Sequence, residues 1–469
     1  MPQKRSGQSA ARTAHIDPAI SHLNNNDFAA ESEHRTERWA MRRNAFPHAV
    51  VTGIGLVTPV GRGIEDFFAA LCAPVSGLVR PPAGHFAEGL VDAVGIAPQI
   101  DAFSVLPDTD AAVADRFSVT ALAAADDAIA DSGIRIGVDV DPLRVAAVIA
   151  SATGGMETFE RQAIVQHNRG FDAVDRHLFN GFLPNMAAAR IAIKHGIRGP
   201  SFAIASACTA SAHAIAEALR LIRARDADVV ICGGTEGPLG PTGLAGFRNA
   251  GALATGWAEP AAASRPFDTD RNGFVTAEGG GVLVIERGDL ADARGGSGYA
   301  DLIGCGATSD AYHLAIPRPD ASGIADSMRL ALRNAGVVPA ETGYLNAHGT
   351  STRIGDVTEA KAIRAVFGEH QPLVSSTKGV TGHLLGGAGV VEAAATVLAL
   401  AREQLPPTMN LDAPDSRCDL NHLRDHAVAK SVEIAMSNSF AFGGHNVSLV
   451  FGAASTRRRR EAPVPVEEA

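Results

Sequence analysis

Four separated stretches hold residue types suited to covalent and proton-transfer chemistry. In GPSFAIASACTASAHAIAEALRLI, Cys208 lies between an apolar run and the start of an amphipathic segment. The free N–H groups and dipole at a helix N-terminus favour a thiolate, which predicts a thiol pKa below the usual value of ~8.5. A buried cysteine is also commonly a small hydrophobe, so this stretch alone leaves both readings open. In YLNAHGTSTRIGDVTEAKAI, His348 is followed by Thr350, Ser351 and Thr352, then by Asp356 and Glu359. The imidazole suits proton transfer or hydrogen-bond donation near neutral pH. The plainer reading is a loop histidine capping a helix whose first turn carries the two acids.

The third stretch, SSTKGVTGHLLGGAGVVEAAATVLAL, combines Lys378 with His383 and, further on, Glu392. An inward lysine requires a partner, and Glu392 can supply one; otherwise Lys378 is a surface cation and His383 a satisfied interior ring. The fourth, MSNSFAFGGHNVSLVFG, sets Phe442 before Gly443 and Gly444. Backbone N–H groups there can face an oxyanion, or the segment is simply a tight turn between strands.

Positioning these groups falls to short β-like runs that alternate with Ala-rich helical segments, the pattern of an α/β fold with covered sheets. Residues 48–56, 226–234, 280–286, 432–440 and 446–452 read as strands. A helix is expected over 209–225, with Ile215, Leu219 and Ile222 on one face, and another over 388–402. The recurrence divides the chain into two related halves, 47–295 and 296–453, with a soft boundary near ARGGSG. Residues 1–46 read as a flexible extension and 454–469 as a charged tail.

Composition narrows the classes. The 469 residues are 46% hydrophobic and 20% charged, and the net charge of -10 disfavours nonspecific attraction to nucleic acid. No apolar run approaches the ~20 residues of a membrane span, and the N-terminus lacks the apolar core of a secretory signal. A cytoplasmic protein is therefore expected. Cys72, Cys208, Cys232, Cys305 and Cys418 form no close pairs, so neither a disulfide framework nor a zinc ribbon is indicated. The glycines at 61–63 and 279–281 give no GxGxxG between a strand and a helix.

Taken in order, VVTGIGLVTPVG, GPSFAIASACTASAHAI, ASRPFDTDRNGFV, TSDAYH, NAHGTST, STKGVTGHLLGGAG and NSFAFGGHN resemble the motifs of β-ketoacyl-acyl carrier protein synthases of the elongating type, within the thiolase superfamily. The resemblance runs from about Phe46 to Gly452. It implies a thiolase-like fold, two mixed α/β halves in layered αβαβα order with the active site where they meet. It implies that Cys208 accepts an acyl chain as a thioester, and that His348 and His383 stabilise the enolate formed when a malonyl carrier loses carbon dioxide. Lys378 with Glu392 would organise the site, with Asp356 and Glu359 in support. The backbone N–H groups of Cys208 and Phe442 would form the oxyanion hole, and the Phe442 ring the gate of the acyl pocket.

The same resemblance assigns substrate contacts to Thr350, Thr352, Phe440 and Gly443, and places Phe182 where it reaches the acyl pocket of a second subunit. No metal or organic cofactor is implied, because the substrates ride on the phosphopantetheine of an acyl carrier protein. The implied assembly is a homodimer, or a heterodimer with a related subunit, with neither nucleic acid nor membrane as partner. A polyketide ketosynthase and a silent chain-length partner are the alternatives, and retention of Cys208 argues against the second.

Five positions depart from the pattern. Ala441 replaces the first glycine of the gate turn, Arg353 and Val357 stand where proline and lysine are usual, and Gly251 replaces an arginine near the carrier-docking surface, where Arg248 is a substitute. His445, where threonine is frequent, reads as a turn residue rather than a third catalytic histidine.

Overall fold

Strands buried on both faces read as continuous apolar runs rather than alternating ones, and the chain carries two sets of them. The computed structural model describes residues 48–85 and 87–454. The extension assigned to 1–46, and all but the first residue of the tail assigned to 454–469, lie outside the described residues.

The first set is β1 (Ala49–Thr58), β2 (Val145–Ala150), β3 (Ser201–Phe202), β4 (Val229–Glu236) and β5 (Gly279–Arg287), arranged β3-β2-β4-β5-β1. The second is β6 (Ala300–Ser309), β7 (Thr342–Asn346), β8 (Leu373–Ser375), β9 (Ile434–Ala441) and β10 (His445–Ala453), arranged β8-β7-β9-β10-β6. Both sets thus have the same order. Both also have the same directions: the second strand pairs parallel with the third and fourth, and the fifth pairs antiparallel with the fourth and first. An antiparallel junction of β1 with β6, Ala49 opposite Leu302 and Val51 opposite Ala300, joins them into one 11-stranded mixed sheet in which Gly61–Arg62 folds back on β1.

Each set is wound by helices in equivalent places. On the outer face of the first lie α1 (Arg116–Ser132) and α2 (Met186–His195); α3 (Ala210–Ala224) connects β3 to β4. On the outer face of the second lie α4 (Ser322–Ala335) and α5 (Gly355–Phe367); α6 (Ala388–Arg402) connects β8 to β9. Helices α3 and α6 pack on each other between the two sets, which gives the αβαβα layering of a thiolase-like fold.

The central pair is close. A Cβ on Gly389 of α6 would stand 2.8 Å from the backbone nitrogen of Ala212 in α3, so a larger residue would push the two helices apart. Apolar on all sides, α6 sits in the core, as an all-round hydrophobic helix must. Among the described residues one stretch, Leu385–Arg402, is long and apolar enough to cross a membrane, and 89% of it is buried inside the protein. The sequence reading missed this span; its burial makes it the central core helix. Burying Val390, Val397 and Leu398, all fully covered, contributes roughly 1.5–3 kcal/mol each.

Candidate active site

In open α/β sheets, ligand groups collect beyond the carboxyl ends of the strands, and all four chemical stretches emerge there. Cys208 follows β3 and precedes α3. His348, Thr350 and Thr352 occupy the loop from β7 to α5; Lys378 and His383 lie between β8 and α6. Phe442, Gly443 and Gly444 form the turn from β9 to β10. The duplication therefore sets the Cys208 loop and the Lys378–His383 loop in equivalent positions, each leading into a central helix.

Ala207 takes φ +50°, in the left-handed region, and this sharp turn presents Cys208 at the entrance to α3. Cys208, His348 and His383 line one cavity of about 800 Å³ together with Thr350, Thr352, Phe440 and Phe442. The two imidazoles meet edge to face, ring centroids 5.4 Å apart. Phe440 stands against His348 at 5.8 Å and Phe274 against His383 at 5.3 Å.

The backbones of both histidines are pinned. Glu359 accepts the N–H groups of His348 and Gly349 at 2.9 and 2.8 Å, while His383 donates its backbone N–H to the Val275 carbonyl at 2.8 Å. Asp356 accepts the N–H groups of Phe267 and Thr352. The two acids therefore hold the loop; Asp356 does lie in the first turn of α5, and both acids are buried rather than solvated.

Lys378 is buried, not a surface cation. Its Nζ contacts the Glu392 carboxylate, donates to the His348 carbonyl at 2.7 Å and lies 3.4 Å from His348 Nδ1. Burial pushes the Glu392 carboxyl up to about 7, against the pull of Lys378. Burial first, and the Lys378 charge second, hold both His348 and His383 well below the usual imidazole range. Both rings are neutral at pH 7, so each keeps one N–H to donate and one lone pair to accept. His383 Nδ1 has no protein partner among the described residues.

The expected depression of the Cys208 pKa is overturned. Burial pushes the thiol up to about 12, and the lowering influence of Lys378 is smaller. Desolvation shifts of 3–5 units exceed the helix-terminus effect of roughly 0.3–1 kcal/mol. At rest and neutral pH Cys208 is therefore a thiol, not a thiolate. The log rate of alkylation by iodoacetamide, followed by intact mass, is expected to rise with slope near one from pH 7 to 9. A plateau within that range would establish a preformed thiolate.

The turn from β9 to β10 also differs in detail from its expectation. Ala441 lies inside the hairpin ladder opposite His445, in extended backbone that tolerates a methyl group, so the turning residues are Gly443 and Gly444 at φ +87° and +72°. Gly443 does not line the cavity: its N–H is bonded to the Leu314 carbonyl at 2.6 Å and it backs onto the His445 ring. Gly444 lines it instead. The Phe442 ring is 40% exposed and lies 6.2 Å from Phe247. Gly251, φ +66°, follows the helix Gly240–Asn249 in a left-handed turn where a side chain would be strained. Phe182 stands apart, stacked on the half-exposed Phe159 at 5.0 Å and away from the Cys208 cavity.

Several cavity residues were not foreseen. Phe247, Phe274, Asp310 and Asn446 line it, with Asn446 Nδ2 donating to Asp310 at 2.8 Å. All but Phe247 lie in the motifs quoted above, which were the available signal. Arg271, fully buried on Asp415, donates to the carbonyls of Thr352 and Arg353 and fixes the cavity rim.

The chain matches the family described as Beta-ketoacyl synthase, N-terminal domain, over residues 48–291, and the corresponding C-terminal domain over 299–412. It is 42% identical to 3-oxoacyl-(acyl-carrier-protein) synthase 2 of Vibrio cholerae, across 86% of this chain and 98% of that one. It is 39% identical to the protein of the same name from Synechocystis, covering 86% and 97%. A β-ketoacyl synthase from Burkholderia phymatum superposes with a TM-score of 0.82 at 32% identity, covering 87% of this chain and all of that one. The ishigamide ketosynthase/chain length factor gives 0.81 at 31%, covering 88% and 100%.

A chain so matched is an acyltransferase that forms carbon–carbon bonds. The chain belongs to the β-ketoacyl synthase family.

Proposed function

We propose that this chain extends acyl groups held on a carrier protein, with Cys208 as nucleophile and His348 and His383 as the enolate-stabilising pair. The observation that carries the proposal is the convergence of these three side chains on one cavity above the buried Lys378–Glu392 pair. In the first step Cys208 Sγ attacks the carbonyl carbon of an acyl thioester. The Sγ proton leaves with the departing carrier thiol, and the acyl group remains on the enzyme. In the second, the bond between C2 and the carboxylate of a malonyl thioester breaks. Carbon dioxide departs and the electron pair stays on C2, its charge delocalised onto the thioester oxygen. Two imidazole N–H groups facing that oxygen stabilise it most as charge develops. C2 then attacks the acyl carbonyl, the bond to Cys208 breaks, and the sulfur takes up a proton, leaving a 3-oxoacyl carrier two carbons longer.

Lys378 positions His348 through its carbonyl and adds to burial in keeping both rings neutral. Thr350 and Thr352, their hydroxyls 3.0 Å apart on the cavity wall, suit the amides of the carrier's pantetheine arm. The N–H of Phe442 has no protein acceptor among the described residues, which suits an oxyanion donor. Phe182 lies among exposed Phe159 and Phe179, as a residue covered by a second subunit would. The division of the chain at 295/296, in the segment joining β5 to β6, belongs to the same proposal.

A polyketide carrier is the second reading. The solved ketosynthases named with chain length factors are 28–31% identical to this chain, against 38–42% for the acyl-carrier-protein synthases, so elongation of ordinary acyl carriers is favoured. Intact-mass analysis with acyl carriers of increasing length, followed by malonyl-carrier, tests it: acylation at Cys208 and a product two carbons longer are expected. No acylation by any acyl carrier would overturn it.

A His383→Ala variant is expected to lose roughly 10²–10³-fold in malonyl decarboxylation while still forming the Cys208 thioester. Unchanged decarboxylation would remove this ring from the mechanism.

A further inference from the structure

The two imidazoles of the cavity are held in different ways. Glu359 accepts the backbone N–H of His348 directly. His383 is gripped instead by one short segment, residues 274–278, which runs into β5. The segment touches it at three points. The Val275 carbonyl accepts the His383 N–H at 2.8 Å, the Ala277 N–H donates to the His383 carbonyl at 3.0 Å, and the Phe274 ring meets the imidazole edge to face at 5.3 Å. Where this segment lies therefore decides where the His383 ring lies.

The other edge of the segment is fixed by residues 95–97. The Gly95 N–H donates to the Thr276 carbonyl and the Glu278 N–H to the Gly95 carbonyl, each at 3.0 Å. A Cβ on Gly95 would stand 2.5 Å from that of Ala277, so the two segments lie backbone against backbone. A buried carboxylate closes the end of this ladder. Glu278 Oε1 accepts the Ala97 N–H at 3.0 Å and the Arg116 guanidinium at 2.7 Å, while Arg116 also donates to the Ala97 carbonyl at 2.8 Å. Arg116 is the first residue of α1, which packs on β1 and β5. The clamp ties the segment that holds His383 to a helix of the first half. Neither side chain lines the Cys208 cavity.

We infer that Glu278, paired with Arg116, is a positioning residue for His383, acting on the reaction through the segment 274–278 and not by contact with substrate. The inference rests on the role proposed for His383 in malonyl decarboxylation and adds the groups that set its aim. Deleting the carboxylate leaves the Ala97 N–H and the guanidinium without their acceptor, and the ladder loosens at that end.

Ring signals of 13C-labelled histidine in the full chain read the position without requiring any reaction, with His383 and His348 assigned by loss of each signal in its alanine variant. Glu278→Leu is expected to displace the His383 signal by more than its linewidth and to leave that of His348 in place. It is expected to slow carbon dioxide release from malonyl-carrier by roughly 10–10²-fold, with acylation of Cys208 by acyl carrier within about twofold of the wild type. Glu278→Gln keeps one oxygen for the Ala97 N–H and for Arg116, and its amide nitrogen falls where Oε2 has no protein partner among the described residues. It is expected to restore most of both readouts. An unmoved His383 signal in Glu278→Leu, or acylation and decarboxylation falling together, would overturn the inference, since mere support of the fold acts on both half-reactions alike. A displaced His383 signal with normal decarboxylation overturns the role given to His383 and leaves the positioning standing. Arg116→Gln, at a partly exposed position, serves where Glu278→Leu does not fold. It is expected to show the same split on a smaller scale, and equal loss of the two half-reactions would overturn the inference.

Discussion

A Cys208→Gln variant is expected to lose condensation by at least about 10⁴-fold while its malonyl decarboxylation stays within about tenfold of the wild type. The two half-reactions use different groups. Thioester formation needs the sulfur, which glutamine cannot replace. Breaking the bond from C2 to the carboxylate needs donors at the thioester oxygen, and His348 and His383 remain pinned by Glu359 and by the Val275 carbonyl. Glutamine presents a neutral carbonyl near the position of the acyl thioester carbonyl, so the cavity keeps its polarity. Carbon dioxide release from malonyl-carrier and intact mass after exposure to acyl carrier give the two readouts. Surviving condensation would take the nucleophile away from Cys208. Loss of both activities together would show that the sulfur also serves decarboxylation.

How far the site could be read from sequence depended on how rare each residue type is. The chain has five lysines, so Lys378 beside a histidine stood out, and Glu392 within the following apolar helix was its evident partner. Cys208, His348 and His383 are likewise sparse types in ordered motifs. Phe247 and Arg271 act through contacts with residues 81 to 195 positions away, which no local spacing records. Gly443 and Gly444 are adjacent and chemically equal, so only the turn geometry could decide which faces the cavity.

Charge state was the least legible property. A helix N-terminus beside Cys208 is visible in the sequence and pulls the thiol down, whereas the burial that pushes it up to about 12 depends on the assembled cavity. The fold shows a similar division. Long strands such as β1 and β10 were evident as runs, with ends shifted by one or two residues. The three residues of β8 carry no periodic signal, and VAAVIA, which forms β2, is absent from the strands read from the sequence. The duplication is nearly silent in residue identities yet complete in strand order, because covered strands need only be apolar.

The Lys378–Glu392 pair should show the next largest effect. Both side chains are almost fully buried, and their contact replaces the solvent each has lost. Removing one partner of such a pair costs about 3–5 kcal/mol, because the other is left charged and uncovered. Lys378→Met therefore strands Glu392, and the sign of its pH dependence follows. Burial already holds this carboxyl up to about 7 with the lysine present, above its unfolded value, so without the lysine its folded pKa rises further. A carboxyl whose folded pKa is raised takes up a proton on folding; its stabilising contribution is complete below the unfolded pKa and fades as pH climbs through the folded one. The variant should then lose little at pH 6 and much more at pH 8, seen as a denaturant midpoint that falls with pH. Lys378→Met with Glu392→Met removes the stranded charge and should recover most of the midpoint, as apolar replacement of buried ion pairs often does. It should not recover condensation, because the His348 carbonyl loses its donor and both imidazoles lose the nearby charge that adds to burial in holding them neutral. In either variant the two rings gain proton affinity, and the acidic limb of the activity profile moves to higher pH. A single variant with unchanged midpoint at both pH values would show that the pair does not hold the site, whereas a double variant with full activity would show that it does nothing else.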